Sequence, residues 1–74
     1  MKKVILYTRA GCHLCDEAKK VLQDAGVAFE PLDIDQNSEL QSRYSEEVPV
    51  VFIDGRKAFK YRIDPRELAR RLSS

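Results

Sequence analysis

Tryptophan is absent from this 74-residue sequence, and histidine, glycine and proline are scarce, with one, three and three residues respectively. The scarcity of glycine and proline, beside 43% hydrophobic and 34% charged residues, excludes a disordered or fibrous chain and predicts a compact globular fold. The length leaves room for one small domain, to which we assign residues 1–74.

Long apolar runs are missing as well. The N-terminal apolar run covers residues 4–7 only, whereas a signal peptide needs roughly 7 to 15 apolar residues and a transmembrane helix about 20. We therefore expect neither segment, no membrane association and a cytoplasmic location. A formal net charge of +1, from basic and acidic residues along the whole chain, gives no electrostatic reason to expect nucleic acid as a partner.

The first half of the chain alternates between strand and helix patterns. Residues 3–8 are almost continuously apolar, which predicts a strand covered on both faces. Residues 12–25 repeat apolar side chains at helical spacing, and Gly26 ends this helix; the predicted inward face comprises Cys15, Ala18, Val21, Leu22 and Ala25. Residues 27–33 predict a second strand, in which Pro31 favours an edge position or a bulge because it lacks a backbone N–H.

The second half predicts a short helix, a hairpin and a final helix. A capping box at residues 38–41, with Ser38 as N-cap, begins a helix that ends near residue 44. Residues 49–53 and 56–61 predict two strands joined by a turn at Asp54 and Gly55. Asp64 as N-cap and Pro65 as first residue begin the last helix, which ends near residue 72. The order βαβαββα predicts an α/β fold with a mixed four-stranded sheet flanked by helices.

Both cysteines lie at the junction between the first strand and the first helix, in the stretch YTRAGCHLCD. Cytoplasmic thiols are kept reduced, so a Cys-x-x-Cys pair in that compartment is more often catalytic or metal-binding than structural. Free N–H groups and the positive end of the helix dipole stabilise a thiolate at Cys12, which we predict to be the nucleophile. Cys15 lies one turn further, on the apolar face, and is the predicted resolving thiol.

Three stretches together resemble a known family. They are the basic Arg9 three positions before the first cysteine, the motif Cys12-His13-Leu14-Cys15 at a helix start, and Val48-Pro49 at the head of a strand that ends in Asp54-Gly55. In this element order they resemble a glutaredoxin-like member of the thioredoxin-fold superfamily over nearly the whole chain. The resemblance implies a thiol-disulfide oxidoreductase that reduces protein or small-molecule disulfides. We expect it to be a monomer with no tightly bound cofactor.

The resemblance also implies roles for residues near the cysteines. Pro49 corresponds to the family's cis-proline, which lies against the active-site disulfide, and Val48 offers its backbone N–H and C=O to an extended substrate segment. Leu14 is predicted to be contact surface. Arg9 steadies the thiolate or grips a partner's carboxylate, unless it is a solvated charge. His13 assists proton transfer or helps to hold the thiolate, unless it points into solvent.

Departures from the family pattern bear on the electron donor. Dithiol glutaredoxins usually have Cys-Pro-Tyr-Cys, a threonine before Val-Pro and a Gly-Gly pair before an aspartate, which together bind glutathione, and this chain differs at all three places. Glu46 and Glu47 would repel the glutathione anion, so we expect glutathione only as a possible co-substrate. Residues 61–64 (YRID) are similar to the Phe-Arg-Pro-Asp stretch of small redoxins that take electrons from thioredoxin reductase, which is the slightly favoured donor.

Two other functions stay open on the sequence. In a metal or iron–sulfur binding module, Cys12, Cys15 and His13 would supply soft ligands, and a dimer would assemble four thiolates. A closed zinc site needs four ligands, however, and the chain has no second cysteine pair and one histidine, so we predict no metal site. The other possibility is a redox-sensing interaction domain, which would use the same disulfide as a switch without rapid turnover.

Overall fold

The computed structural model describes residues 3–73, and their helices and strands follow the predicted order βαβαββα. The elements are β1 (Val4–Thr8), α1 (His13–Asp24), β2 (Glu30–Asp33), a 3₁₀ turn (Ile34–Gln36), α2 (Ser38–Tyr44), β3 (Val50–Ile53), β4 (Arg56–Lys60) and α3 (Pro65–Ser73). None of the helices within residues 3–73 combines the length and the apolarity needed to span a membrane.

The four strands form one mixed sheet in the order β2-β1-β3-β4. β1 runs parallel to β2 and antiparallel to β3, and β3 runs antiparallel to β4. The parallel pair follows from α1, because parallel neighbours need a crossover connection that a tight turn cannot provide. β2 lies at an edge of the sheet, which is one of the positions that Pro31 favours. Proline has no backbone N–H, so in an interior strand it would leave a hydrogen bond between strands unmade.

α1 ends as its glycine predicts. Gly26 has a φ of 70°, and the N–H groups of Gly26 and Val27 donate to the carbonyls of Gln23 and Leu22. These two bonds form a Schellman motif, which a residue without Cβ adopts most readily. Because this cap holds the chain up to Val27, the prediction that the second strand begins at residue 27 is wrong, and β2 begins at Glu30.

The inward face of α1 matches the predicted one except at its end. Cys15, Ala18 and Leu22 are buried and Val21 is half-buried, but Ala25 is exposed. Ala25 is the C-cap residue, where the helical repeat stops, so helical spacing no longer decides which way its side chain points.

The start of α2 also differs from the prediction. Asn37, and not Ser38, is the N-cap: its side-chain oxygen accepts the N–H groups of Glu39 and Leu40 at 2.9 and 3.2 Å. Asparagine and serine cap about equally well, and Asn37 has the extended backbone that an N-cap requires. The predicted capping box is therefore wrong, whereas the end of the helix at Tyr44 is confirmed.

β3 and β4 form the predicted hairpin. Asp54 and Gly55 have φ angles of 52° and 82°, the positive values that the predicted two-residue turn requires. β4 ends at Lys60, one residue earlier than predicted, because Tyr61 has a φ of 68° and leaves the strand conformation.

α3 begins as predicted, with Pro65 as its first residue. The carboxylate of Asp64 accepts the N–H of Arg66 at 2.9 Å, which confirms Asp64 as the cap. The helix continues to Ser73, and its buried residue, Leu68, packs into the core beside α1.

The sheet has a different core on each face. On the face that carries α1 and α3 the core is aliphatic, and its buried members are Val4, Leu6, Ala18, Leu22, Val51, Ile53, Ile63 and Leu68. On the other face the rings of Tyr7, Tyr44 and Phe52 lie together, with Tyr7 stacked on Tyr44 at 5.0 Å and edge-on to Phe52 at 5.4 Å. These are called the aliphatic face and the aromatic face.

Candidate active site

The candidate site begins in the loop between the end of β1 and the start of α1. The N–H of Cys12 donates to the carbonyl of Arg9 at 3.3 Å, which closes a tight turn over Ala10 and Gly11. Gly11 has a φ of 75°, a left-handed conformation that favours glycine at this position of a turn. The turn places Cys12 at the N-cap of α1, four residues after the end of an interior strand.

Cys12 and Cys15 are joined in a disulfide, with their Cα atoms 5.2 Å apart. Their surroundings differ: Cys12 is half-buried at the helix start, whereas Cys15 is fully buried on the inward face of α1. Both cysteines lie at the predicted junction, and their exposures differ in the predicted sense. Their chemical roles remain predictions.

The sulfur of Cys12 also caps α1. It accepts the N–H of Cys15 at 3.1 Å, and this N–H is one of those that a helix leaves without an intrahelical partner. The carbonyl of Cys12 accepts the N–H of Asp16 at 3.2 Å, so the backbone ladder of the helix starts at the same residue. A negative charge on this sulfur would be stabilised both by the N–H group and by the positive end of the helix dipole.

Arg9 connects the cysteine loop to two other segments. Its guanidinium holds the carboxylate of Asp35 at two points, Nε to Oδ2 at 3.1 Å and Nη2 to Oδ1 at 3.0 Å, and Nη1 donates to the carbonyl of Ser45 at 3.2 Å. The hydrogen bond from Arg9 lowers the pKa of Asp35, and a second hydrogen bond, from Gln41, acts in the same direction. Arg9 therefore has partners within the protein, and its contact with a thiolate or a substrate stays a prediction.

Val48 and Pro49 lie immediately before β3. The bond between them is cis, as the resemblance implies, and Pro49 is fully buried. The N–H of Val48 donates to the carbonyl of Tyr44 at 3.2 Å, while the carbonyl of Pro49 accepts the N–H of Tyr61 at 2.9 Å. Of the two backbone groups predicted to pair with a substrate, the Val48 N–H is thus engaged within the protein, and the Val48 carbonyl stays the predicted contact.

The charge of Glu47 is partly neutralised by two lysines of β4. Its Oε1 lies 3.1 Å from the Nζ of Lys57 and 4.0 Å from that of Lys60. Lys57 also lies over the ring of Tyr44, 5.6 Å from the centroid. The repulsion of an anion beside Pro49 is therefore weaker than two unpaired glutamates would produce.

The two residues between the cysteines differ in exposure. The side chain of His13 is 86% exposed, and its Nε2 lies 3.4 Å from Oε1 of Glu17, an ion pair only when His13 is protonated. Leu14 is half-buried and borders a cleft of about 360 Å³ between α1 and the segment that joins β4 to α3. Leu14, the predicted contact residue, thus lies beside a concave surface. Proton transfer by His13 stays a prediction.

Comparison with known proteins assigns these features to a family. Residues 3–73 match the glutaredoxin-like domain (DUF836). This chain belongs to that family. It is 35% identical over 72 residues to the glutaredoxin-like protein YDR286C homolog of Dictyostelium discoideum, in an alignment that covers 84% of this chain and 67% of that protein.

Solved structures share the fold of this glutaredoxin-like domain. It superposes on protein XcR50 from X. campestris with a TM-score of 0.83 and 36% identity, over 95% of each chain. It superposes on the T8A mutant of the thioredoxin-like protein BC3987 with a TM-score of 0.75 and 26% identity, over 99% of this chain and 97% of that one. The predicted thioredoxin-like fold is confirmed, and together with the family and the cysteine pair it supports a thiol redox role.

Two residues near the cysteines of the glutaredoxin-like domain were not singled out from the sequence. Thr8 is 6% exposed, its hydroxyl has no hydrogen-bond partner among the described residues, and it borders a second cleft with Arg9 and Gly11. Strand alternation is a signal for it, because every second residue of β1 points inward. Asp35 has no such signal, since it meets Arg9 across 26 residues of sequence.

A metal site would need ligands beyond those that the glutaredoxin-like domain places together. Within residues 3–73, no three side chains of His, Cys, Asp or Glu are grouped so as to hold an ion. Cys12 and Cys15 supply two thiolates when reduced, and closed zinc or iron–sulfur sites use four ligands.

Proposed function

We propose that this glutaredoxin-like domain is a thiol-disulfide oxidoreductase that reduces disulfides of proteins or small molecules in the cytoplasm. The observation that carries the proposal is the joined pair of sulfurs at the start of α1, one half-exposed and capping the helix, the other fully buried. A thiolate at a helix N-terminus is stabilised and accessible, and a buried neighbour is shielded from every disulfide except one formed on Cys12 itself.

The proposed reaction is two successive thiol-disulfide exchanges. The Cys12 thiolate attacks one sulfur of the substrate disulfide, a mixed disulfide forms, and the other substrate sulfur leaves as a thiolate and takes up a proton. Cys15 then gives up its proton and attacks the Cys12 sulfur, which releases the second substrate thiol. The Cys12–Cys15 disulfide remains, so the substrate has gained two electrons from the protein and two protons. One proton comes from Cys15, and the other comes from the solvent, which received the Cys12 proton when that thiol ionised.

The residues around Cys12 have a proposed part in binding. The carbonyl of Val48 and the apolar surface of Leu14 contact the substrate segment. Pro49 is fully buried, so its proposed part is to hold Val48 in place through the cis bond between them. Arg9 acts indirectly, because its contacts with Asp35 and Ser45 fix the cysteine loop to the segments that precede α2 and Val48. His13, beside the reacting sulfur in sequence and exposed, exchanges protons with water or with the leaving thiol.

Replacing each cysteine by serine tests the roles. In Cys12→Ser we expect reduction of a disulfide substrate to fall to the uncatalysed rate, because no accessible thiolate remains. In Cys15→Ser we expect one attack without release, so that the protein accumulates as a mixed disulfide with its substrate, detectable by mass spectrometry. Trapping by Cys12→Ser, or faster alkylation of Cys15 than of Cys12 by iodoacetamide, would reverse the assignment.

Thioredoxin reductase is the favoured electron donor in this proposal, with glutathione as the second. Support comes from the YRID stretch of residues 61–64, from the missing Gly-Gly pair and from Glu46, whose charge no cation offsets within residues 3–73. NADPH consumption is measured with thioredoxin reductase alone and, in parallel, with glutathione and glutathione reductase, with Cys12→Ser as the blank. Faster turnover with glutathione would show that Glu46 and the missing glycines do not hinder it, and would make glutathione the donor.

A further inference from the structure

Tyr61 is the described residue whose conformation and exposure fit its chemistry least. Its φ of 68° lies in the left-handed region, where a bulky side chain meets steric resistance. The residue is 44% exposed, whereas the other large apolar residues between positions 3 and 73 are buried or half-buried. Conformations of this kind persist where the surrounding structure imposes them, and they concentrate at functional sites. The fold therefore holds an aromatic ring at the surface.

Tyr61 lies beside the proposed site. Its N–H donates to the carbonyl of Pro49 at 2.9 Å, directly after the last pair of the hairpin, Val50 with Lys60. β4 is also an edge strand, with no further strand beyond it in the sheet of the described residues. Tyr61 also borders the same cleft as Leu14, so a partner that presents a disulfide to Cys12 would meet Tyr61 nearby.

A groove with both apolar and charged residues in its lining extends from Tyr61 towards the cysteine motif. Tyr61 and Ile63 form one wall of the cleft of about 360 Å³, and Leu14, Ala18 and Val21 of α1 form the apolar part of the other. Leu14 lies between the two cysteines in the chain, so one end of the groove lies close to the redox pair. An apolar side chain near a partner's disulfide would have a place to bind here.

Basic and acidic residues are unevenly distributed along the chain, contrary to the even spread expected from the net charge of +1. Residues 55–74 contain seven basic and two acidic residues, whereas residues 10–54 contain three basic and ten acidic ones. Among residues 3–73, Arg62 and Arg66 form no ion pair, and Arg66 stands in the first turn of α3, where the helix dipole disfavours a cation. The opposite wall, on α1, carries Glu17, Lys20 and Asp24 and has no such excess of positive charge.

We propose that Tyr61, Arg62 and Arg66, called the β4–α3 surface, dock a disulfide-bearing protein that has an apolar side chain and acidic residues beside its disulfide. The inference rests on the proposed function, since the partner is a substrate or donor of the same cysteine pair. Tyr61 is the aromatic anchor, and the two arginines select the acidic side of the partner. A nucleic acid would also be attracted by the arginines, but it carries no disulfide to bring to Cys12 and no side chain for the groove.

The test compares three disulfides in single-turnover reactions with the pre-reduced protein. Two are synthetic peptides with one internal disulfide flanked by leucine, one rich in glutamate and the other in lysine, and the third is the neutral 2-hydroxyethyl disulfide. We expect the acidic peptide to react at least about tenfold faster than the basic one at low salt, as electrostatic complementarity allows. The preference should shrink towards unity when about 0.5 M salt screens the charges.

Two variants locate the effect on the β4–α3 surface. Arg62→Glu should reduce or reverse the preference between the peptides, whereas the matched charge reversal Lys19→Glu, on α1 and outside the groove, should leave it in place. Tyr61→Asn removes the ring, and asparagine tolerates a positive φ, so it should lower the ratio of the peptide rates to the 2-hydroxyethyl disulfide rate without unfolding the protein. Circular dichroism spectra check that each variant is folded.

The outcomes separate this inference from the proposed function. If wild type fails to reduce even 2-hydroxyethyl disulfide, the proposed function is wrong and the docking surface falls with it. If that disulfide is reduced but the peptides react equally, or if Lys19→Glu acts as strongly as Arg62→Glu, the docking surface alone is overturned. Tight, salt-sensitive binding of duplex DNA that Arg62→Glu removes and Tyr61→Asn leaves intact would assign the arginines to nucleic acid and would also overturn it.

Discussion

The aliphatic and the aromatic face of the sheet are built differently, and each supports one half of the candidate site. The aliphatic face is fully buried at Leu6 and Leu22, and it holds α1, which carries both cysteines. The rings of the aromatic face are only half-buried, and α2 on this face leads into Val48 and Pro49. The cysteine half of the site is therefore anchored by a fully buried core. In the proline half Pro49 is itself buried, but the rings beside it are only half-buried.

The difference extends to the kind of contact that holds each half. Buried aliphatic packing changes only when a large part of the fold opens, whereas contacts near the surface open at lower cost. On the aromatic side the contacts include charged groups: Lys57 pairs with Glu47 and lies over Tyr44, and Arg9 joins Asp35 and Ser45. We expect substitutions on the aliphatic face to act through stability, and those on the aromatic face to act more through the geometry of the site.

The largest expected effect is on the aliphatic face. Leu22→Ala should lower the free energy of unfolding by about 2–5 kcal/mol, because it removes a fully buried side chain and leaves a cavity between α1 and the sheet. Urea unfolding at constant m-value measures it. Leu40→Ala in α2 is the matched control, and at a half-buried position it should cost about half as much or less. Equal losses would mean that burial does not distinguish the two sites.

An intermediate effect is expected on the aromatic face. Tyr44→Leu removes ring contacts with Tyr7 and Phe52 and the cation above the ring, which should lower the free energy of unfolding by about 1–2 kcal/mol. Because the Tyr44 carbonyl accepts the N–H of Val48, a shift of this residue also moves the segment before Pro49. Disulfide reduction should then fall more than in Leu22→Ala when both variants are assayed folded. A lower activity of folded Leu22→Ala than of folded Tyr44→Leu would contradict the expected difference between the two faces.

The smallest effect concerns the ion pair between Arg9 and Asp35 and appears as a pH dependence. The pKa of Asp35 is lowered in the folded protein, so the pair stabilises above the ordinary aspartate pKa, about 3.9, and this contribution is lost as the pH falls through the lower, folded value. Arg9→Gln lacks the contribution. The difference in melting temperature between wild type and Arg9→Gln should therefore be largest near neutral pH and shrink below about pH 4. A constant difference down to about pH 2.5 would contradict the pairing.

Local signals were enough to predict the architecture and the position of the cysteine pair. The apolar run of β1, the helical spacing of α1 and the glycine cap at Gly26 each act within a few residues, and the structure has all three. The edge position of β2 followed from one missing N–H at Pro31. Each of these features depends on residues that are close together in the chain, so it can be predicted from the sequence.

Contacts between distant segments could not be predicted in the same way. Arg9 meets Asp35, and Glu47 meets Lys57, only after the chain has folded, and many other charges were equally available as partners. The cap of α2 was misplaced by one residue because Asn37 and Ser38 are both good caps and only the preceding turn decides between them. The positive φ of Tyr61 could not be predicted, because tyrosine rarely takes that conformation.

The hydrogen bond from the N–H of Cys15 to the sulfur of Cys12 makes one backbone amide a direct neighbour of the reacting atom. An N–H that donates to a thiolate, to a thiol or to a disulfide sulfur meets three different electron densities, and its proton resonance should differ among them. Nuclear magnetic resonance of the ¹⁵N-labelled protein could therefore follow the state of Cys12 at that single amide while substrate is consumed. The amide of Cys15 would thus report on the reacting sulfur without any chemical modification of the site.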